Sequence, residues 1–119
     1  MRIRWLLTAF VASTVLLLFD YWAVQNSIFW RFRWFDTPMH VVGGFALAVF
    51  IIGLLNTYKP LVFGVSLAVL FVGWEIFEHV AQVPQPNPYV LDTAHDLVND
   101  VLGALFAFAL ARETIWRSK

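Results

Sequence analysis

Leu61–His79 reads LVFGVSLAVLFVGWEIFEH. From Leu61 to Gly73 it carries no charge, and then two carboxylates and an imidazole arrive together as Glu75, Glu78 and His79. Continued to about Val83, the run is long enough to cross a bilayer core, which takes about 20 helical residues at about 1.5 Å each. Ionisable groups at membrane depth are costly, at least about 2.5 kcal/mol for a lone charge, and usually pair and mark function. The stretch therefore reads as a membrane helix whose polar end needs partners from elsewhere in the chain.

Composition agrees. The chain has 119 residues, 61% of them hydrophobic, with a mean hydropathy of +0.72, above the apolar share of a soluble domain. We read residues 1–119 as a single transmembrane domain. The absence of cysteine excludes disulfide frameworks, zinc fingers, thiol nucleophiles and iron–sulfur clusters. Eight basic and eight acidic residues give zero net charge, and the few Lys and Arg are scattered around apolar runs, so no nucleic-acid-binding face is built.

The expected fold is all-α, a polytopic bundle of four transmembrane helices at about 5–24, 38–55, 61–83 and 92–111. The first follows a basic start, Arg2 and Arg4. A cleaved signal peptide has the same outline, but no small-x-small cleavage site follows. Gln25 to Phe35 mixes Phe29, Trp30, Phe32, Trp34 and Phe35 with Arg31 and Arg33, the chemistry of the headgroup layer, and reads as an interfacial segment between the first two spans. Asp36-Thr37-Pro38 has the form of a helix start, with Asp or Thr as the cap and Pro in the first turn. Asn56 to Pro60 is a tight connection, Pro84, Pro86 and Pro88 stop the third helix, and Leu91-Asp92-Thr93 starts the fourth.

Four spans place Arg2, Arg4, Lys59, Arg112, Arg117 and Lys119 on one side and only Arg31 and Arg33 on the other. The positive-inside rule then puts both termini in the cytoplasm, in a bacterial inner membrane. Of the acidic residues only Glu113 falls on that side. The outer half collects Asp20, Asp36, Glu75, Glu78, Asp92, Asp96 and Asp100, with His40, His79 and His95. Asp36 and Asp92 suit helix N-termini as caps. Glu75 and Asp100 each lie roughly 12 Å below the outer boundary on the expected helix ends, too deep for caps.

The spacing keeps each set on one helix face. Asp36 and His40 are i,i+4; Glu75, Glu78 and His79 are i,i+3,i+4; Asp92, Asp96 and Asp100 are i,i+4,i+8, with Asn99 and Gly103 close to the same stripe. Gly43, Gly44 and Gly103 would let backbones approach closely. Because no Lys or Arg stands between Lys59 and Arg112, the acids of the last two spans have no local basic partner. Protonation of some carboxylates, a bound metal, or a cationic ligand would each relieve the repulsion. Inward Glu and His at such spacings are a known way to build metal sites in helix bundles.

Asp36-x-x-x-His40, Trp74-Glu75-x-x-Glu78 and Asp92-x-x-x-Asp96-x-x-x-Asp100-x-x-Gly103-Ala104, in this order, resemble the YjdF-like family of small bacterial inner-membrane proteins and, more distantly, the VanZ-like family. The resemblance covers about Asp36 to Ala104. Glu78 replaces the glutamine usual in the VanZ-like pattern, Asp100 replaces its asparagine, and its arginine between the third and fourth spans is missing, which favours the YjdF-like comparison. The resemblance implies the membrane topology and the site positions, not a reaction.

Three functional readings remain at this point. The first is a membrane metalloenzyme, hydrolysing a lipid or lipid-linked substrate. Its divalent ion, Zn, Mn, Fe or Mg, is bound by His40, Glu75, Asp96 and Asp100, with Asp36 and Asp92 as further candidates, and Glu75, Glu78 and His79 are the candidate catalytic residues. It implies a lateral opening between the second and fourth spans. The second is a proton- or cation-binding transport module, which in so small a bundle calls for a homo-oligomer or a partner. The uncharged stretches Phe45 to Leu55, Leu61 to Gly73 and Val101 to Ala111 argue against a continuous path and for a one-sided site. The third is a structural subunit whose polar cluster fixes helix packing, a costly use of so many acids.

Overall fold

A computed structural model describes residues 2–56, 58–82 and 89–117, with the Tyr89 side chain left aside. Its elements are helix α1 (Ile3–Gln25), the single turn α2 (Ile28–Arg31), a 3-10 turn (Arg33–Phe35), α3 (Asp36–Leu55), α4 (Pro60–Val80) and α5 (Tyr89–Glu113). Among the described residues four helical segments are long and apolar enough to cross a membrane: Ile3–Gln25, Arg33–Leu55, Pro60–Val80 and Val90–Glu113. The chain is an all-α, multi-pass membrane protein. Its outward surface fits that setting, since Phe10, Leu17, Leu18, Leu61, Val69, Leu105 and Phe106 are all well exposed.

The helix ends follow local chemistry. Pro60 occupies the first turn of α4, where its missing amide costs nothing. Asn56 ends α3 in the left-handed conformation (φ 50°, ψ 41°), with its amide donating to the Ile52 carbonyl. Gln82, also at positive φ, follows the end of α4. That helix therefore stops at Val80 rather than near residue 83, and Pro84, Pro86 and Pro88 lie outside the described residues. At the other end of the same connection α5 begins at Tyr89, three residues ahead of the expected start at Asp92.

α3 is the central element, packed on α1, α5 and, less extensively, α4. It runs antiparallel to α1: Leu16 lies against Gly43 and Leu6 against Gly53, while the Arg2 amide donates to the Gly53 carbonyl at 2.7 Å. It runs parallel to α5, because Val41 and Phe45 meet Gly103 and the Phe45 ring meets Phe106 one turn on, at 5.7 Å. The core of this pair is made of small residues, Ala46, Ala48, Ala104, Ala107 and Ala111, around Val49 and Ile52. Helices in lipid gain little from apolar burial and associate through such close packing. α4 packs differently, through large side chains. Phe63, Leu67 and Phe71 form its buried stripe at i,i+4,i+8, and Phe63 stacks on Phe108, which in turn touches the buried Trp116.

Candidate metal centre

The i,i+4 stripe that buries Phe63, Leu67 and Phe71 has Glu75 as its next member. The same periodicity that packs three apolar side chains inward therefore drives a carboxylate inward one turn later. Glu75 is 2% exposed, and neither of its carboxylate oxygens has a hydrogen-bond partner among the described residues. With α4 ending at Val80, Glu75 is about 8 Å from that helix end, shallower than the 12 Å expected from an end at 83. Asp100, by contrast, is about 16 Å from the start of α5, near the middle of the helix.

His40 is the point on which the acids converge. Its Nδ1 lies 3.0 Å from Asp100 Oδ1, and its Nε2 lies 3.5 Å from Asp36 Oδ1 and 3.3 Å from Asp96 Oδ1. The glycine seam explains how two helices bring these groups together. Gly44 stands one turn beyond His40, and a Cβ there would overlap the Asp100 carbonyl group; a Cβ at Gly103 would overlap the Val41 carbonyl oxygen and stand 2.7 Å from the Phe45 nitrogen. Only with both glycines can the Asp100 backbone reach α3 beside His40. Gly43 has no such role, since a methyl there would make ordinary contact with Leu16.

Ionised carboxylates only accept, so the Nδ1–H donates to Asp100 and Nε2 faces Asp36 and Asp96. In a neutral imidazole that nitrogen bears a lone pair, which two carboxylate oxygens would repel. Positive charge is needed on or beside Nε2. Asp96, 1% exposed, has its Oδ1 buried without a hydrogen bond despite the nearness of His40, the pair lacking hydrogen-bond alignment.

Three trios of side chains have ligand atoms within 4.8 Å of one another: Asp36, His40 and Asp96; His40, Glu75 and Asp100; Glu75, Glu78 and Asp96. An ion bound at about 2.0–2.2 Å holds its donors up to about 4.4 Å apart, so small side-chain rotations would close each trio on a cation. The donor set of one imidazole with carboxylates suits Zn, Mn, Fe or Mg. Together with the orphaned Glu75 oxygens, this is a site whose residues fit a divalent ion.

The remaining sequence candidates fall in different places. Asp36 opens α3, but Phe35 precedes it without a side-chain cap, and the Asp36 carboxylate turns to His40 instead of capping amides. Asp92 is buried in the first turn of α5, beyond the capping position and outside the trios. His79 and His95 are exposed and outside them too; the His95 Nδ1 stands 3.2 Å from the Asn99 Nδ2. Asp20, on α1, is likewise exposed. The expected opening between the second and fourth spans is not found among the described residues: those spans are α3 and α5, and their glycine seam brings the two backbones into direct contact. The place of two groups went unread in the sequence. The Trp74 indole N–H donates to Glu78 Oε1 at 2.9 Å, a pairing that the i,i+4 spacing could have announced. The Thr93 hydroxyl, three residues before Asp96 and read in the sequence only as part of a helix start, is buried without a partner among the described residues.

Comparison with protein-family models, curated proteins and solved structures gives no match for this chain.

Proposed function

We propose that this cluster is a divalent-metal centre of a bacterial inner-membrane protein with both termini in the cytoplasm, and that it serves hydrolysis of a lipid or lipid-linked substrate. The kinship with YjdF-like proteins belongs to the same reading and rests on the three motifs. The observation that carries it is Glu75, buried with both oxygens unpartnered beside other carboxylates. Charge relief by proton sharing alone would set its oxygens at hydrogen-bonding distance from a neighbouring acid, and neither has such a partner among the described residues. A cation accounts for both oxygens at once.

When bound, a divalent ion would supply a Lewis acid for a phosphoryl or acyl oxygen and a water of lowered pKa. In this reading the ligands are drawn from Asp36, His40, Glu75 and Asp96, with no single ion taking both Asp36 and Glu75, and Asp100 orients the imidazole by accepting its Nδ1–H, an arrangement common around metal-binding histidines. Glu78, one oxygen of which accepts from the Trp74 indole, would serve as a further ligand or as the group that takes a proton from a bound water. The uncharged inner halves of α3, α4 and α5 support a one-sided site over a conduction path.

Elemental analysis and metal titration of the detergent-purified protein test the proposal. Wild type is expected to hold divalent metal at a whole-number ratio, and Glu75→Gln and Asp100→Asn to bind at least about 10- to 100-fold more weakly. Wild type that stays metal-free after incubation with Zn, Mn, Fe and Mg would overturn it, whereas metal retention would direct a screen of lipid phosphates as substrates.

A further inference from the structure

Asp96 belongs to two trios that share no other member. One, with Asp36 and His40, lies between α3 and α5. The other, with Glu75 and Glu78, lies between α4 and α5. We infer that the centre takes two divalent ions, bridged by the Asp96 carboxylate; this rests on the metal-centre reading and specifies its nuclearity.

Donor geometry and charge balance both support it. The donors of a single ion must all lie within about 4.4 Å of one another, and no trio unites Asp36 with Glu75 or Glu78. One ion placed against Asp36 and His40 leaves the Glu75 oxygens as they are, buried and without partners. One ion placed against Glu75 and Glu78, or within the trio of His40, Glu75 and Asp100, leaves the Asp36 and Asp96 carboxylates with only the imidazole to offset them. Two ions satisfy both ends.

The charge count points the same way. The three trios contain five carboxylates, Asp36, Glu75, Glu78, Asp96 and Asp100, and one imidazole, with no Lys or Arg between Lys59 and Arg112. With all five carboxylates ionised and the imidazole neutral, a single divalent ion would leave a net charge of −3 on a mostly buried cluster, and two would leave −1. Asp96 is the natural bridge: it is 1% exposed, lies between Asp92 and Asp100 on α5, and carries a buried oxygen without a hydrogen bond among the described residues. Carboxylate-bridged pairs of ions about 3.5–4 Å apart are an established arrangement in hydrolytic enzymes.

Manganese distinguishes the outcomes, because two Mn ions sharing a carboxylate are magnetically coupled and give a spectrum unlike that of an isolated ion. Purified wild type would be stripped with chelator and titrated with Mn, and the ion count per chain and the electron paramagnetic resonance spectrum recorded. Two ions per chain with a coupled spectrum are expected. Asp36→Asn, whose position at the start of α3 keeps folding risk low, is expected to retain one uncoupled ion at Glu75, Glu78 and Asp96. Binding of a single uncoupled ion by wild type would overturn the two-ion inference and leave the metal centre standing. Two ions without coupling would overturn the Asp96 bridge, and no binding by folded wild type would overturn both readings.

Discussion

α3 and α5 meet backbone to backbone, whereas α4 reaches the same pair through Phe63, Leu67 and Phe71. The contrast divides the proposed metal centre between two kinds of support. His40, Asp96 and Asp100 stand on a seam that leaves no room for a methyl group at Gly44 or Gly103. Glu75 and Glu78 stand on a helix held by larger and fewer contacts. Carboxylates on the seam stand on main chains in direct contact, while those on α4 stand on a helix that meets its neighbours through side chains.

The largest effect should come from filling the seam. Gly44→Val forces side-chain atoms into the space taken by the Asp100 main chain, and overpacking of a well-packed core ordinarily costs about 1–3 kcal/mol. Here the obstacle is backbone that cannot rotate aside, so the cost should reach or exceed the top of that range, with loss of monodisperse protein in detergent. Gly73 on α4 is the control: a Cβ there meets nothing within 4 Å, and Gly73→Ala should leave the melting temperature unchanged or raise it slightly. Equal melting temperatures for the Gly44 and Gly73 variants would mean that the seam does not organise the fold.

The contrast was only partly legible in the sequence. The four spans could be read because hydrophobic length is a strong signal, and the stripe from Asp92 to Gly103 because helical spacing places those residues on one face. Spacing along a helix says nothing of how near its neighbours stand. Gly43 and Gly44 are adjacent in sequence and look equivalent, yet one faces a flexible Leu16 side chain and the other the Asp100 backbone. The end of α4 was misread for a related reason. Prolines mark where a helix cannot continue, but the chain leaves the helix earlier, with Gln82 at positive φ. Phe63, Leu67, Phe71 and Glu75 are evenly spaced in the sequence too; the apolar residues around them, equally hydrophobic, hide which stripe turns inward.

Glu75 gives the next prediction in size. Chelator-treated wild type carries a buried carboxylate without partners, whose desolvation weighs against the fold. Glu75→Gln removes its charge at nearly constant shape and should raise stability in chelator by about 1 kcal/mol. With metal at about 100 times its dissociation constant, wild type gains about 2.7 kcal/mol by binding, and the variant gains much less. The two melting curves should therefore exchange order between chelator and metal. A variant less stable than wild type under both conditions would show that Glu75 is held by packing, and that α4 is no looser a support than the seam.

His79 gives the smallest effect and the sharpest limit on the site. In the sequence it stands beside Glu78 and one turn from Glu75, so it looks as well placed for catalysis as either. In the structure the stripe that faces the bundle passes through Glu75, and His79, one turn further on, is exposed and belongs to none of the three trios. α4 ends at Val80, one residue later, so His79 lies at the boundary where the helix leaves the bundle. His79→Ala should then change metal affinity by no more than about twofold, as expected for an exposed substitution away from the centre. His40→Ala, which removes the group joining Asp36, Asp96 and Asp100, should abolish binding to that half of the site. If titration showed the two histidine variants losing metal alike, the end of α4 would have to turn further inward when metal binds, and its looser packing would then be what allows that turn.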